Sequence, residues 1–151
     1  MCGIIASFSS NKFNQSEKFQ NLKMLGSLEK RGPDASNFTS QNHVFLGHTR
    51  LSIIDTRSIA NQPFSNVQGR YTILFNGEIY NYKNLKEKLI LKGHVFKTNS
   101  DTEVILNLFI EYGVKSFGFL RGMFAILIYD KINEEIILAR DSVGIKPLYY
   151  Y

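Results

Sequence analysis

The chain of 151 residues contains a single cysteine, Cys2, which excludes an intramolecular disulfide and any multi-cysteine metal site. No apolar run approaches the ~20 residues that a membrane span needs. The start of the chain lacks the basic region and long apolar stretch of a secretion signal, so the cytoplasm is the default location. The eleven glycines include no G-x-G pair and there is no Walker loop, so no nucleotide cradle is recognisable. No serine nucleophile elbow occurs, and His43, His48 and His94 fall at no metal-ligand spacing. Repeats, low-complexity tracts and Pro/Gly/Ser-rich linkers are also missing, and the length suits one domain. The net charge of +5 is not gathered into a patch. The lysines, among them Lys23, Lys30, Lys83, Lys86, Lys88, Lys92 and Lys97, fall on stretches that read as helix surfaces, without the motif that nucleic-acid binding requires. With these classes set aside, a cofactor-free reaction driven by a thiol is what remains.

The chain offers regular punctuation. Residues 2–8 read as a buried strand. Asn14 and Glu17 form a capping box that opens a helix with Phe19, Leu22, Leu25 and Leu28 on one face, and Arg31-Gly-Pro-Asp34 stops it. Strands are expected at 36–40, 44–49, 51–55 and 71–75, with a polar loop through Gln62-Pro63-Phe64. A helix over 82–92 closes on Gly93, and a second capping box, Ser100 with Glu103, opens another that ends at Gly113. Residues 123–130 and 134–140 form a hairpin whose two arms are continuous apolar runs, so both faces should be covered, as in stacked sheets with helices outside. Residues 147–151 are aromatic and strand-like with no turn or cap, which reads as a fragment cut from something longer.

Removal of Met1 would make Cys2 the first residue, placing a thiol and a free α-amine on one residue. An unperturbed α-amine titrates near ~7.7–8.0 and a thiol near ~8.5, so such an amine can serve as the thiol's base at neutral pH. Asn76-Gly77 is the strongest two-residue hairpin signal. Alternatively, its side-chain amide and its glycine N–H supply two donors to one oxyanion. Arg50 interrupts an apolar stretch and needs an anion, either an internal carboxylate or a substrate carboxylate gripped by both prongs. Glu78 and Asp101 are carboxylates in apolar or turn-rich surroundings. Helix capping alone accounts for Asp101, yet an amino-acid substrate would need such carboxylates beside an arginine.

Taken in order, Met-Cys-Gly-Ile-Ile, Arg31-Gly-Pro-Asp34, His48-Thr-Arg-Leu-Ser-Ile-Ile-Asp55 and Gln62-Pro63-Phe64 resemble the glutaminase domain of the asparagine synthetase family. So do Phe75-Asn-Gly-Glu-Ile-Tyr-Asn-Tyr82, Ser100-Asp-Thr-Glu-Val-Ile-Leu106, Gly122-Met-Phe-Ala125 and Gly144-Ile-Lys-Pro-Leu-Tyr-Tyr150. This is a branch of the class II glutamine amidotransferases, and the likeness spans nearly the whole chain. It implies an α+β fold, the N-terminal-nucleophile hydrolase sandwich in four αββα layers around two antiparallel sheets, cut short at its C-terminal end.

By the same resemblance, Cys2 is the nucleophile that attacks the glutamine side-chain amide, with its own α-amine as base. Asn76 and the Gly77 N–H hold the oxyanion. Arg50 binds the α-carboxylate, Glu78 and Asp101 take the α-ammonium, and backbone groups of Leu51 and Ile53 complete the pocket. Ammonia leaves first, and water then releases glutamate from the thioester. Residues 1–151 would form one amidotransferase domain needing no cofactor or metal. ATP and Mg would serve only a C-terminal synthetase domain of the same chain, whose Ser-Gly-Gly-x-Asp-Ser motif is absent here. Ser142 and Val143 depart from the family pattern. L-glutamine and that synthetase domain are the expected partners, with no nucleic acid or membrane, and a homodimer stays open. Three other readings remain. They are an amidotransferase for an acceptor other than aspartate, a non-catalytic glutamine-sensing module, and an acylase acting on another amide.

Overall fold

The computed structural model describes residues 1–150. Seven strands fall into two antiparallel sheets. The first has the order β1-β3-β2, from Gly3–Phe8 (β1), Ala35–Gln41 (β2) and Val44–Arg50 (β3). The second has the order β4-β5-β6-β7, from Phe64–Ser65, Tyr71–Ile79, Gly122–Asp130 and Glu135–Arg140. Helix α1 (Gln15–Gly26) packs on β1 and β3, while α2 (Tyr82–Leu91) and α3 (Asp101–Tyr112) pair with each other, and α3 covers β5. The layers therefore run α, β, β, α, as expected. The main core lies between the second sheet and its helices, around Ile73, Phe75, Val104, Ile105, Phe124 and Ile126. A smaller cluster of Val44, Leu46, Leu74, Leu127 and Tyr129 joins the two sheets.

Several local signals hold. Asn14 and Glu17 bond reciprocally at the start of α1. Gly93 and Gly113 take positive φ after α2 and α3, where a side chain would be strained.

Other expectations are corrected. Helix α1 buries Asn21 and Leu25, whereas Phe19 is 68 % exposed and Leu22 also faces outward. Both lie on the side away from β1 and β3. Ser100 caps the Thr102 N–H, but the Glu103 carboxylate turns back to the N–H groups of Lys97 and Thr98 and the Thr98 hydroxyl. The second box is therefore not reciprocal. Residues 51–55 are a loop rather than a strand, because their carbonyls curl around the Arg50 guanidinium. Strand β7 is an edge with Ile136 and Leu138 partly exposed, so that arm is not covered on both faces. Residues 147–150 join no strand, and Tyr151 lies outside the described residues.

Candidate active site

Cys2 precedes the first strand, where Gly3 pairs with Thr49 of β3. The Arg31-Gly-Pro-Asp34 segment fastens this end. Arg31 Nε donates to the Cys2 carbonyl at 3.3 Å, Pro33 bridges to Arg50, and the Asp34 carboxylate accepts the Ser52 N–H at 2.7 Å. Gly32 is forced by contact, since a Cβ there would come within 2.3 Å of the Thr49 backbone. The motif thus clamps the nucleophile candidate and the arginine candidate to one another. The thiol lies against one residue of the next loop, 3.5 Å from the Leu51 nitrogen and 3.7 Å from its oxygen.

Asn76 and Gly77 sit inside β5, opposite Ala125 and Phe124 of β6, so the hairpin alternative is excluded. The register also decides where the Gly77 N–H points. In an antiparallel ladder, residues two apart along a strand aim their backbone groups to the same side. The Phe75 N–H donates to Gln62 Oε1 at 2.6 Å, and the Ile79 N–H donates to Asp101 Oδ2 at 3.1 Å, both away from β6. Phe124, opposite Gly77, spends its own N–H and carbonyl on Asp141. The Gly77 N–H between them therefore points off the free edge of β5 into the pocket. Strand β4 does not reach this far, pairing only with Ile73 and Thr72.

The backbone just before Asn76 is held in turn. The Phe75 carbonyl accepts from His48 Nε2 at 3.3 Å and from Gln62 Nε2 at 3.2 Å. His48 is fully enclosed, and burial drives its pKa down to about 4, with the Arg50 charge adding to this against the bond it donates to the Phe75 carbonyl. It is a neutral imidazole that braces the strand. Gln62 also reaches Thr102 Oγ1 at 3.3 Å, tying β5 to the start of α3.

Among the described residues Arg50 meets no carboxylate. Its terminal nitrogens donate to the carbonyls of Ile54, Asp55 and Arg57 and to Asn61 Oδ1. The Asp55 carboxylate instead pairs with Arg57 and the Asn99 N–H. With these four donors engaged, the Nε–H is what Arg50 keeps for an anion, and the guanidinium charge stays uncompensated. Among the described residues this rules out the internal ion pair. A grip by both terminal nitrogens would require the loop carbonyls to yield.

Asp101 opens α3 and is buried. Burial pushes its carboxyl up to about 6, opposed by the N–H groups of Ile79, Thr102 and Asp101 itself, with a small upward push from Glu78. Glu78 is half-buried on β5, and Ile53 lies exposed at the rim.

All eight residues singled out from the sequence line one pocket: Cys2, Arg50, Leu51, Ile53, Asn76, Gly77, Glu78 and Asp101. Met1, Gln62, Ser100, Thr102, Met123 and Lys146 share it. Gln62 and His48 were missed as braces because a polar residue in a loop or an apolar strand gives no sign of which carbonyl it will meet. Lys146 had no local signal beyond its place among apolar neighbours. The pocket carries two cations and two carboxylates, besides a thiol, the Asn76 side-chain amide and the Gly77 N–H. That set suits a zwitterionic amino acid with an amide at its far end.

Over residues 1–151 the chain matches the family described as the glutamine amidotransferase domain. It is 43 % identical over 152 residues to a glutamine-hydrolysing asparagine synthetase of Bacillus subtilis, covering 99 % of this chain and 24 % of that protein. It is 41 % identical over 149 residues to one of Arabidopsis thaliana, covering 99 % and 25 %. The chain thus spans about a quarter of the length of these relatives. Among solved structures, the glutamine phosphoribosylpyrophosphate amidotransferase of B. subtilis, complexed with ADP and GMP, aligns with a TM-score of 0.61. That alignment is at 27 % identity over 97 % of this chain and 32 % of the other. An allosteric regulatory enzyme of purine biosynthesis shares the fold at a TM-score of 0.58 and 24 % identity. The fold is that of the N-terminal-nucleophile amidotransferases.

Proposed function

The chain belongs to the glutamine amidotransferase domain family, and from that premise we propose that it hydrolyses glutamine through a Cys2 thioester. The ammonia then feeds an ATP- and Mg-dependent synthetase region of a longer protein, which amidates aspartate. The observation that carries this reading is the convergence on one pocket of a thiol, two oxyanion donors and a set of charges matched to an amino-acid head group.

Once Met1 is removed, the freed Cys2 amine takes the thiol proton, and Sγ attacks the side-chain carbonyl carbon of glutamine. Charge gathers on the carbonyl oxygen, where the Asn76 amide and the Gly77 N–H receive it. The protonated amine returns its proton to the leaving nitrogen, so ammonia departs and the thioester remains. The amine then deprotonates a water molecule, which cleaves the thioester to glutamate and the thiol. Arg50 attracts the α-carboxylate, while Glu78 and Asp101 hold the α-ammonium. Burial of the latter two charges beside each other favours a cation between them.

The test is intact mass after exposure to 6-diazo-5-oxo-norleucine, a glutamine mimic that alkylates activated thiols. We expect loss of Met1 and one adduct, blocked by excess glutamine and absent from Cys2→Ala. A Met1-free protein that takes no adduct would count against the catalytic reading and favour a glutamine-sensing module.

Asp101 supplies a second test. Its carboxyl titrates at about 6 in the fold, against 3.8 ordinarily, so the folded protein holds an extra proton between those values. Stability therefore falls as pH rises through that window, and the ionised buried carboxylate remains a burden above it. At about 1.4 kcal/mol per pH unit the burden is at most about 3 kcal/mol. Asp101→Asn is expected to raise Tm by about 2–6 °C at pH 7.5, with the gain shrinking towards pH 4. The same change should raise KM for glutamine about a hundredfold, as expected for loss of a buried charge partner. A variant with an unchanged Tm at pH 7.5 would show that the carboxylate is not strained.

A further inference from the structure

Lys146 and its neighbours are placed inside out. Lys146 is 5 % exposed, whereas Ile145 beside it is 57 % exposed and Val143 is 82 % exposed. An ordinary surface loop buries the isoleucine and leaves the lysine in water. The inversion is built in by the backbone. The Asp141 carboxylate accepts the N–H groups of Ile145 at 2.8 Å, Lys146 at 3.1 Å and Phe124 at 3.1 Å. Gly144, at φ +74°, makes the turn. The loop is thereby fastened to the β6 residue that lies opposite Gly77. Its ammonium enters the Cys2 pocket and contacts the Met1 sulfur at 2.9 Å. Among the described residues no carboxylate lies within ion-pair distance of it. A buried ammonium without an anion is costly, and the removal of Met1 takes away the one partner it has among the described residues.

We propose that Lys146 is a positioning residue for the thiol centre, whose ammonium disfavours a second positive charge on the freed Cys2 amine and so keeps that amine available as the base. This rests on the glutaminase reading above. The charged and titratable groups at the centre are Arg31, whose Nε donates to the Cys2 carbonyl, Arg50 from β3, Glu78 from β5, Asp101 from α3, Cys2 itself and Lys146. Lys146 touches the side chain of the residue that is bonded to the Cys2 nitrogen and lines the same pocket as Cys2, so its charge weighs on the amine. Two like charges at such range oppose one another's protonation. Arg50, whose charge is already spread among four oxygens, is directed to the other end of the substrate.

The experiment is the pH dependence of Cys2 alkylation by iodoacetamide, which needs no ammonium pocket and so leaves Asp101 out of the reading. It is run on the Met1-free protein, on Lys146→Met and on Lys146→Arg, alongside kcat/KM for glutamine. In Lys146→Met the alkylation midpoint should rise by about half to one pH unit. On the acid limb kcat/KM should fall about three- to tenfold, with the alkaline plateau kept. Lys146→Arg should restore both. A midpoint unmoved in Lys146→Met, or moved equally in both variants, would overturn the proposal. So would loss of activity in both variants at every pH, which would make Lys146 itself the proton acceptor. Should Lys146→Met fail to fold, Lys146→Gln carries the same comparison. Failure of the glutaminase reading is distinct, because it would appear as a wild-type protein without a glutamine-blocked adduct and would leave the iodoacetamide titration readable.

Discussion

Protein that retains Met1 will hydrolyse glutamine at least about a thousandfold more slowly than the processed form, the scale set by loss of a general base. While Met1 is attached, the Cys2 nitrogen is a peptide amide whose lone pair is delocalised into the carbonyl, so it cannot accept the thiol proton. The structure adds a second obstacle. The Met1 side chain lines the same pocket and rests its sulfur against Lys146, occupying space beside the nucleophile. The fold itself does not depend on this residue, since β1 begins at Gly3 and its register with β3 starts there. Intact mass sorts the two forms, and glutamate release should differ. Substantial turnover by a verified Met1-intact sample would remove the amine from the mechanism.

Gly77→Ala is expected to destabilise the fold by about 3 kcal/mol or more, at the upper end of overpacking effects, and to end hydrolysis in whatever remains folded. A Cβ on residue 77 would stand 2.1 Å from the Met123 carbonyl oxygen and 2.8 Å from the Phe124 Cα. Both obstacles are backbone of the neighbouring central strand, so no side chain can swing away to make room. The two strands would have to separate in the middle of a nine-residue pairing that runs from Tyr71 opposite Asp130 to Ile79 opposite Gly122. That separation would also turn the residue 77 N–H and displace Asn76, so stability and catalysis fail together. Urea denaturation and glutamate release measure the two effects. A variant of native stability would mean that β5 and β6 do not approach as closely as described.

What could be read in the sequence divides by range. Asn14 with Glu17, Gly93 and Gly113 act on their own helix ends, and each does in the structure what its local chemistry dictates. Asn76-Gly77 is the contrary case. As a dipeptide it favours a tight turn, yet pairing with Ala125 and Phe124, dozens of residues away, holds it extended, and the glycine is there because β6 passes too closely for a side chain. Glu103 misled for a similar reason, because the bend at Lys97 and Thr98 offered its carboxylate better donors than the cap did. Residues 51–55 have strand-like composition, but the need to solvate a buried guanidinium with carbonyls bends them into a loop. The site residues themselves were legible through their resemblance to a family, and their pattern of charge was a second indication. Lys146, Gln62 and His48 were not, since each acquires meaning from a partner brought in by the fold.

The burial of Asp101 gives the hydrogen ion a standing of its own in this pocket. Near pH 6 the empty site divides its time between a neutral carboxyl and a carboxylate, and on the reading offered here only the latter accepts an amino acid's ammonium group. Proton and amino acid are therefore rival ligands for one position. At this carboxyl acid acts as a competitive inhibitor that excess glutamine can displace, and each molecule bound under those conditions expels part of a proton into the medium. Through this carboxyl a fall in pH would throttle ammonia supply first at low glutamine, a loss that excess glutamine relieves and that is separate from protonation of the Cys2 amine.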